Sequence, residues 1–284
     1  VSTVIDLLRR DQQDLYVSAS ALKTLDACGR QYWYHYVQGV PAEDVPARMV
    51  LGSAIHKALS IAYHHLRDGE PVPVLNTLVS VAGAAITAAV ASTPAVHFDA
   101  GSGPGELVEE ATRLLTAWAE QGYRPARVIA VEVPFNLPLM HPETGEVLPF
   151  EEHVVGALDL VVAEDNGTVV VVDHKITSRL DRQKTEQPDL QMSIYAWAAE
   201  QMFNVDKVGL RYQDIVRTKT AKVEVQEVVR IPHDEAEGIE AVASGLEVLH
   251  LALSHPKGKR LMGRRRSWRC KECGWRRHCA EDRT

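Results

Sequence analysis

The chain has 284 residues, 45% of them hydrophobic, with a formal net charge of −7. That length can bury a full core of one large or two small domains, and four cysteines in a chain this long are a poor basis for a disulfide framework. No stretch is expected to reach membrane-spanning length and no export leader is expected, so a cytoplasmic protein of a bacterium, archaeon or phage is the default.

In chain order, Ser18 to Val37 reads as a helix capped by Ser18 or Ser20, with Leu22, Leu25, Tyr32 and Tyr36 among its apolar positions. Pro41 and Pro46 break it. A second helix, Met49 to Leu66, carries His56 and turns Ile55, Leu59 and Ala62 to one apolar face. Pro71 and Pro73 open an insertion, residues 68–126, of two helices, Val74 to Ala91 and Glu106 to Gln121. The alanine-rich run Leu78 to Ala91 is expected to pack in the fold. The loop Gly101 to Gly105 lacks the Gly-Lys-Ser/Thr ending of a phosphate loop and reads as a linker.

From Arg127 the period becomes that of strands: Val128 to Phe135, Val154 to Ala163 and Thr168 to His174. A helix from Pro188 to Phe203 follows, then strands Val208 to Val216 and Val223 to Ile231, and a helix Asp234 to Leu253. The expected fold class is α/β, a mixed sheet flanked by helices.

The chemistry concentrates in Gly156-Ala157-Leu158-Asp159, Asp173-His174-Lys175 and Gln191-Met192-Ser193-Ile194-Tyr195. A turn from Glu164 to Gly167 folds one valine-rich strand onto the other, bringing Asp159 and Asp173 together. Lys175 has the parity of Asp173 and points to the same face. A carboxylate in a buried strand is costly unless it is paired or bound to metal, and two acids with a lysine suit a hard divalent ion beside a polarised water. Gln191 and Tyr195 lie one helical turn apart. Glu132, in the first long strand, reads equally as an acid near the site or as a solvent-facing residue.

The cysteines are Cys28, then Cys270-x-x-Cys273-x5-Cys279. Metal binding fits them better than disulfides, and the spacing alone leaves zinc and a 4Fe-4S cluster both open. The net charge argues against a nucleic-acid partner until its distribution is considered. Lys257 to Arg277 contain ten basic residues against one acid, Glu272, while residues 1–256 hold 20 basic and 35 acidic residues. Beside Trp268 and Trp275, this run reads as a solvated tail or as a strip that tracks phosphates.

Asp159, Asp173 and Lys175 resemble motifs II and III of the PD-(D/E)XK nuclease superfamily, and Gln191 with Tyr195 resembles the QxxxY signature of its RecB-type branch. Gly52 to His56 resembles that branch's GxxxH motif, with Gly52 letting the helix approach the sheet. Ser18 to Leu22, Cys28 and Tyr32 to Tyr36 resemble its N-terminal helix. The match runs from about residue 18 to the C-terminus, and the expected order of helix, three strands, helix, strand is that of the superfamily core.

The resemblance implies one nuclease domain over 18–284 behind an extension, 1–17, and a metal-dependent DNA exonuclease. Asp159, Asp173, His56 and the His174 carbonyl would hold Mg2+ or Mn2+, and Lys175 would orient the attacking water. Gln191 and Tyr195 would position DNA or active-site groups. Cys28, Cys270, Cys273 and Cys279 match the iron-sulfur pattern of the CRISPR-associated adaptation exonucleases and AddB subunits, which implies a 4Fe-4S cluster, with Zn2+ as the alternative. The cluster would hold the basic tail, 257–284, over the cleft as a structural clamp. The implied partners are DNA and recombination or CRISPR adaptation proteins, with no membrane. A binding or scaffold subunit without catalysis is the rival reading, and it would require a damaged acid or lysine.

Overall fold

A computed structural model describes residues 16–92, 96–99, 101–141, 143–181, 183, 189–229 and 234–282. Most of the expected N-terminal extension, the helix start at Pro188 and the strand end at Ile231 lie outside the described residues.

Tyr16–Val17 forms β1, and Ser18 caps helix α1, Ala19–Ala27, by accepting the Ala21 N–H at 3.2 Å. The single helix expected to reach Val37 is interrupted at Cys28, whose backbone is extended (φ −166°, ψ 104°). Helix α2, Gly29–Tyr32, and a π turn, Trp33–Val37, follow. The cause is a tight contact: a Cβ on Gly29 would lie 3.1 Å from Met262 Cα, so the chain here touches the backbone of the C-terminal segment.

Strand β2, Val45–Pro46, leads into α3, Ala47–Arg67. Helix α4, Leu75–Ser92, strand β3, Val96–His97, parallel to β2, and helix α5, Pro104–Gln121, follow; two helices were expected in this stretch, the short strand between them was not. One expectation is corrected here. With 18 residues and a mean hydropathy of 1.6, α4 is long and apolar enough to cross a membrane by length and composition. In the fold it lies against α3 and α5, burying Leu78, Ala82 and Ile86.

The long strands are β4, Arg127–Pro138, β5, His153–Ala163, and β6, Val169–Thr177. After them come helix α6, Leu190–Phe203, strands β7, Gly209–Val216, and β8, Lys222–Glu227, and helix α7, Asp234–Ser254. The C-terminal segment holds α8, Gly258–Leu261, a 3₁₀ turn, Trp268–Glu272, and α9, Arg276–Glu281. In the sheet β4, β5 and β6 are antiparallel, β6 and β7 parallel, and β7 and β8 antiparallel, while β1 adds to the start of β5.

Helices cover both faces, which is why the strands are valine runs rather than alternating ones. Leu160, Val162, Val170, Val172 and Ile215 pack toward α3, α4 and α5. Leu158, Val161, Val171 and Tyr212 pack toward α1, α6 and α7. Fully burying such a side chain contributes about 1.5–3 kcal/mol, whereas an unpaired buried carboxylate costs several kcal/mol. Asp173 shares the parity of Val171, so its cost is placed on the α6 side of the sheet, where Gln191 meets it.

Candidate active site

The β5–β6 ladder runs from Ala163↔Val169 to Leu160↔Val172, and one step beyond it Asp159 and Asp173 stand opposite each other. On the other side of β5, Val131↔Leu160 and Val133↔Leu158 bracket Glu132, which therefore faces Asp159. Three acids thus lie in one row across three strands. Glu132 has φ 47°, a left-handed conformation rare for a non-glycine residue and unusual inside a strand. Sequence reasoning left Glu132 undecided because alternation cannot show a local break in the strand.

Burial raises Glu132 to about 7, with the Asp159 charge adding to the effect and His56 opposing it. Burial likewise raises Asp173 to about 6, against the pull of Lys175. Asp173 Oδ2 makes an ion pair with Lys175 Nζ at 2.7 Å.

His56 meets the row from α3. Its Nε2 lies 3.0 Å from the His174 carbonyl, which can only accept, so Nε2 carries the proton. Nδ1 then faces Asp159 Oδ2 at 3.6 Å and Glu132 Oε1 at 4.0 Å, and it is buried without a hydrogen bond. A lone pair opposite two carboxylates is unfavourable unless a proton or a metal ion lies between them. His56, Glu132 and Asp159 bring their ligand atoms within 4.8 Å of one another, and a set of oxygens with one imidazole suits Mg2+ or Mn2+. Gly52 does not serve close approach as expected: a Cβ there would meet nothing within 4 Å.

The His174 peptide joins these groups. Its N–H donates to Asp159 Oδ2 at 2.9 Å and its carbonyl accepts from His56. The side chain points to the opposite face, as its parity requires, and stacks on Tyr63 with centroids 5.3 Å apart and planes at 10°. Its Nδ1 accepts from Gln213 Nε2 at 3.0 Å. The Gln213 amide is oriented in turn by the Tyr123 N–H (2.8 Å) and the Tyr63 hydroxyl (3.1 Å), both donating to Oε1. Burial lowers His174 to about 4, so the ring is neutral. Gln213 and Tyr63 belong to no motif and were not found from sequence.

On the α6 side, Gln191 ties the remaining groups together. Its Nε2 donates to Asp173 Oδ1 at 3.2 Å and to the Tyr195 hydroxyl at 2.8 Å, while its Oε1 accepts from Lys175 Nζ at 3.1 Å. Lys175 is pulled down by burial, but the adjacent Asp173 outweighs this and its pKa is raised, so it is an ammonium. Burial and the nearby acids push Tyr195 well above the ordinary phenol range. The structure thus brings Asp159, Asp173, Lys175, His56, the His174 carbonyl, Gln191 and Tyr195 to one place.

The four cysteines lie on two segments that pack together, Cys28 on one and Cys270, Cys273 and Cys279 on the other. Burial raises Cys273, and the thiols of Cys28, Cys279 and Cys270 add to the rise, so those three are within electrostatic reach of it. The N–H of Ser267 points to Cys270 Sγ at 3.5 Å, and a backbone bond from Trp275 lowers Cys273. Amide-to-sulfur bonds of this kind favour thiolates and suit a thiolate-bound metal or cluster. The N- and C-terminal segments are otherwise joined by Arg30 to Asp282 (2.8 Å), the Arg30 N–H to Gly263 O (3.1 Å), Trp275 Nε1 to Val40 O (2.8 Å) and Arg276 to Asp44 (2.6 Å).

A family model described as PD-(D/E)XK nuclease superfamily matches residues 16–280. Among solved structures, a protein from Eubacterium rectale provisionally named an exonuclease has a TM-score of 0.56 at 12% identity, over 95% of this chain and 88% of its own. At that identity the likeness shows the fold alone. A second structure, SSO0001, covers 93% of this chain and 96% of its own at 16% identity, but its TM-score of 0.32 carries no argument. No curated protein matches the sequence.

Proposed function

The chain belongs to the PD-(D/E)XK nuclease superfamily, and from that membership we propose that it is a DNA exonuclease dependent on Mg2+ or Mn2+. The observation that carries the reading is the row of Glu132, Asp159 and Asp173, with the His56 lone pair turned toward the first two and Lys175 on the third.

Asp159, Asp173, His56, Glu132 and the His174 carbonyl would hold the ion. When bound, it supplies a Lewis acid for the scissile phosphate and a lowered pKa for a coordinated water. Lys175, as an ammonium, orients the attacking water and meets the negative charge that develops on the phosphoryl oxygens. Gln191 fixes Lys175 and Asp173 relative to each other, so neither has to reorganise during reaction. No acid or lysine of this set is missing, which speaks against an inactive binding subunit.

The four cysteines are read as ligands of a 4Fe-4S cluster that clamps the C-terminal segment onto α1 and α2. Exposed Trp268 (70%) and the arginines around it would then form a strip for the DNA backbone and bases.

Incubation with 5′- and 3′-labelled single-stranded and duplex DNA in Mg2+, Mn2+ or EDTA tests the reading, with the visible spectrum of anaerobically purified protein recorded alongside. Shortening from an end in either metal, none in EDTA, and a brown protein are expected. A colourless zinc-loaded protein that still shortens DNA would remove the cluster alone. DNA binding without cleavage would identify a scaffold subunit, and the absence of both would overturn the reading.

A further inference from the structure

We propose that Lys23, on α1, is a phosphate-contacting residue of this site, a second ammonium beside Lys175 that grips the DNA strand at a phosphate flanking the one cleaved. The inference rests on the nuclease reading above and adds to it a residue outside the catalytic motifs.

Lys23 Nζ donates to Gln191 Oε1 at 3.2 Å, the same amide oxygen that accepts from Lys175 Nζ at 3.1 Å. Two ammonium groups are thus gathered on one neutral oxygen, each beside an acid of its own: Asp173 for Lys175 at 2.7 Å and Asp189 for Lys23 at 2.9 Å. The arrangement has a direction. The side chain of Asp173 is 1% exposed, whereas those of Lys175 and Lys23 are 33% and 40% exposed. Asp159 and Glu132 are 10% and 24% exposed, so the three acids of the row lie below the two cations, while Asp189, 41% exposed, shares the rim with Lys23. A polyanion approaching three acids needs cations where it first makes contact, and this rim supplies them.

Lys23 can also be spared from its present contacts. Among the described residues two of its three N–H donors are engaged, which leaves one for a phosphate oxygen. Asp189 keeps other partners when Lys23 turns away, because its Oδ1 caps α6 by accepting the N–H groups of Gln191 (3.1 Å) and Met192 (3.2 Å). An ion pair this exposed is weak, so exchanging it for a phosphate costs little. The competing role is a strut that only ties α1 to α6.

Fluorescence anisotropy of a single-stranded oligonucleotide in EDTA, at about 50 to about 200 mM salt, separates the two for the full chain. Wild type, Lys23→Met and Lys23→Arg are compared. Loss of one phosphate contact makes the slope of log Kobs against log salt shallower by about 0.7 in Lys23→Met. Lys23→Arg keeps the wild-type slope, and Mn2+ affinity by calorimetry is the same in all three. A lowered melting temperature with an unchanged slope in Lys23→Met makes the residue a strut and overturns the proposal. A wild type that binds no DNA overturns the nuclease reading, and the role of Lys23 with it.

Discussion

Gln213 is fully buried on β7, and its amide serves three partners: the Tyr123 N–H, the Tyr63 hydroxyl and His174 Nδ1. Through His174 it fixes the peptide that donates to Asp159 and accepts from His56. Gln213→Leu leaves the Tyr123 N–H and His174 Nδ1 unpaired, while the Tyr63 hydroxyl keeps the Tyr123 carbonyl at 3.1 Å, and it is expected to destabilise the protein by about 1–3 kcal/mol in urea unfolding, with weaker Mn2+ binding by calorimetry. Glu132 gives a prediction with a definite sign. Its metal-free pKa is raised from 4.5 to about 7, first by burial and then by Asp159. The unfolded chain therefore loses this proton first, and the contribution to stability is lost as pH rises from about 4.5 to about 7. In EDTA, Glu132→Gln should match the wild-type melting temperature near pH 4 and exceed it near pH 8, and in Mn2+ the order at high pH should reverse. Asp159, Asp173, Lys175 and His56 were legible in the sequence because charged groups in apolar runs, or at fixed spacing, stand out. Glu132 and Gln213 were not, because a left-handed residue within a strand and a polar residue serving a neighbour's peptide leave no pattern.

The site exists at the level of elements because β5 and β6 stop pairing at Leu160↔Val172 while β4 continues beside β5. Gly156 sits in that continued stretch opposite Phe135, whose ring occupies the space a side chain would need: a Cβ would lie 2.4 Å from Phe135 Cζ. Phe135 also meets the Tyr195 ring edge-on, with centroids 6.2 Å apart. Gly156→Ala must displace Phe135 or β5, so a loss of about 1–3 kcal/mol in thermal unfolding is expected, with impaired cleavage because Tyr195 shifts as well. The order of the long helices and strands and the hairpin of β5 and β6 were readable from period and turn residues. Two features were not. The break of the first helix at Cys28 follows from the approach of Met262 to Gly29, a contact between residues far apart in sequence. The continuation of β6 through Lys175 to Thr177 follows from its pairing with β7, which places the catalytic candidates inside the strand rather than at its end.

At the scale of the molecule, the segment around Cys28 packs against the C-terminal segment through Arg30 with Asp282 and Gly263, and opposite charge falls in different regions. Residues 1–256 carry the acidic excess, and the segment from Lys257 to Arg277 carries the basic one. Part of that basic charge is internal: Lys259 and Arg264 join Arg30 on Asp282, and Arg276 pairs with Asp44. Arg269, by contrast, lies over the exposed Trp268 ring at 5.7 Å. The charge asymmetry was legible in the sequence, whereas the division between structural and outward-facing arginines needed the fold. The account as a whole depends on metal-dependent hydrolysis at the row of acids, and Asp173 is its most buried member. The decisive measurement is the rate of DNA degradation by wild type and Asp173→Asn across a Mn2+ titration. Degradation by wild type that ceases in EDTA, and a fall of about 10³-fold in the variant, is the predicted result. Equal rates in the two proteins, or a wild-type rate indifferent to EDTA, would contradict the account.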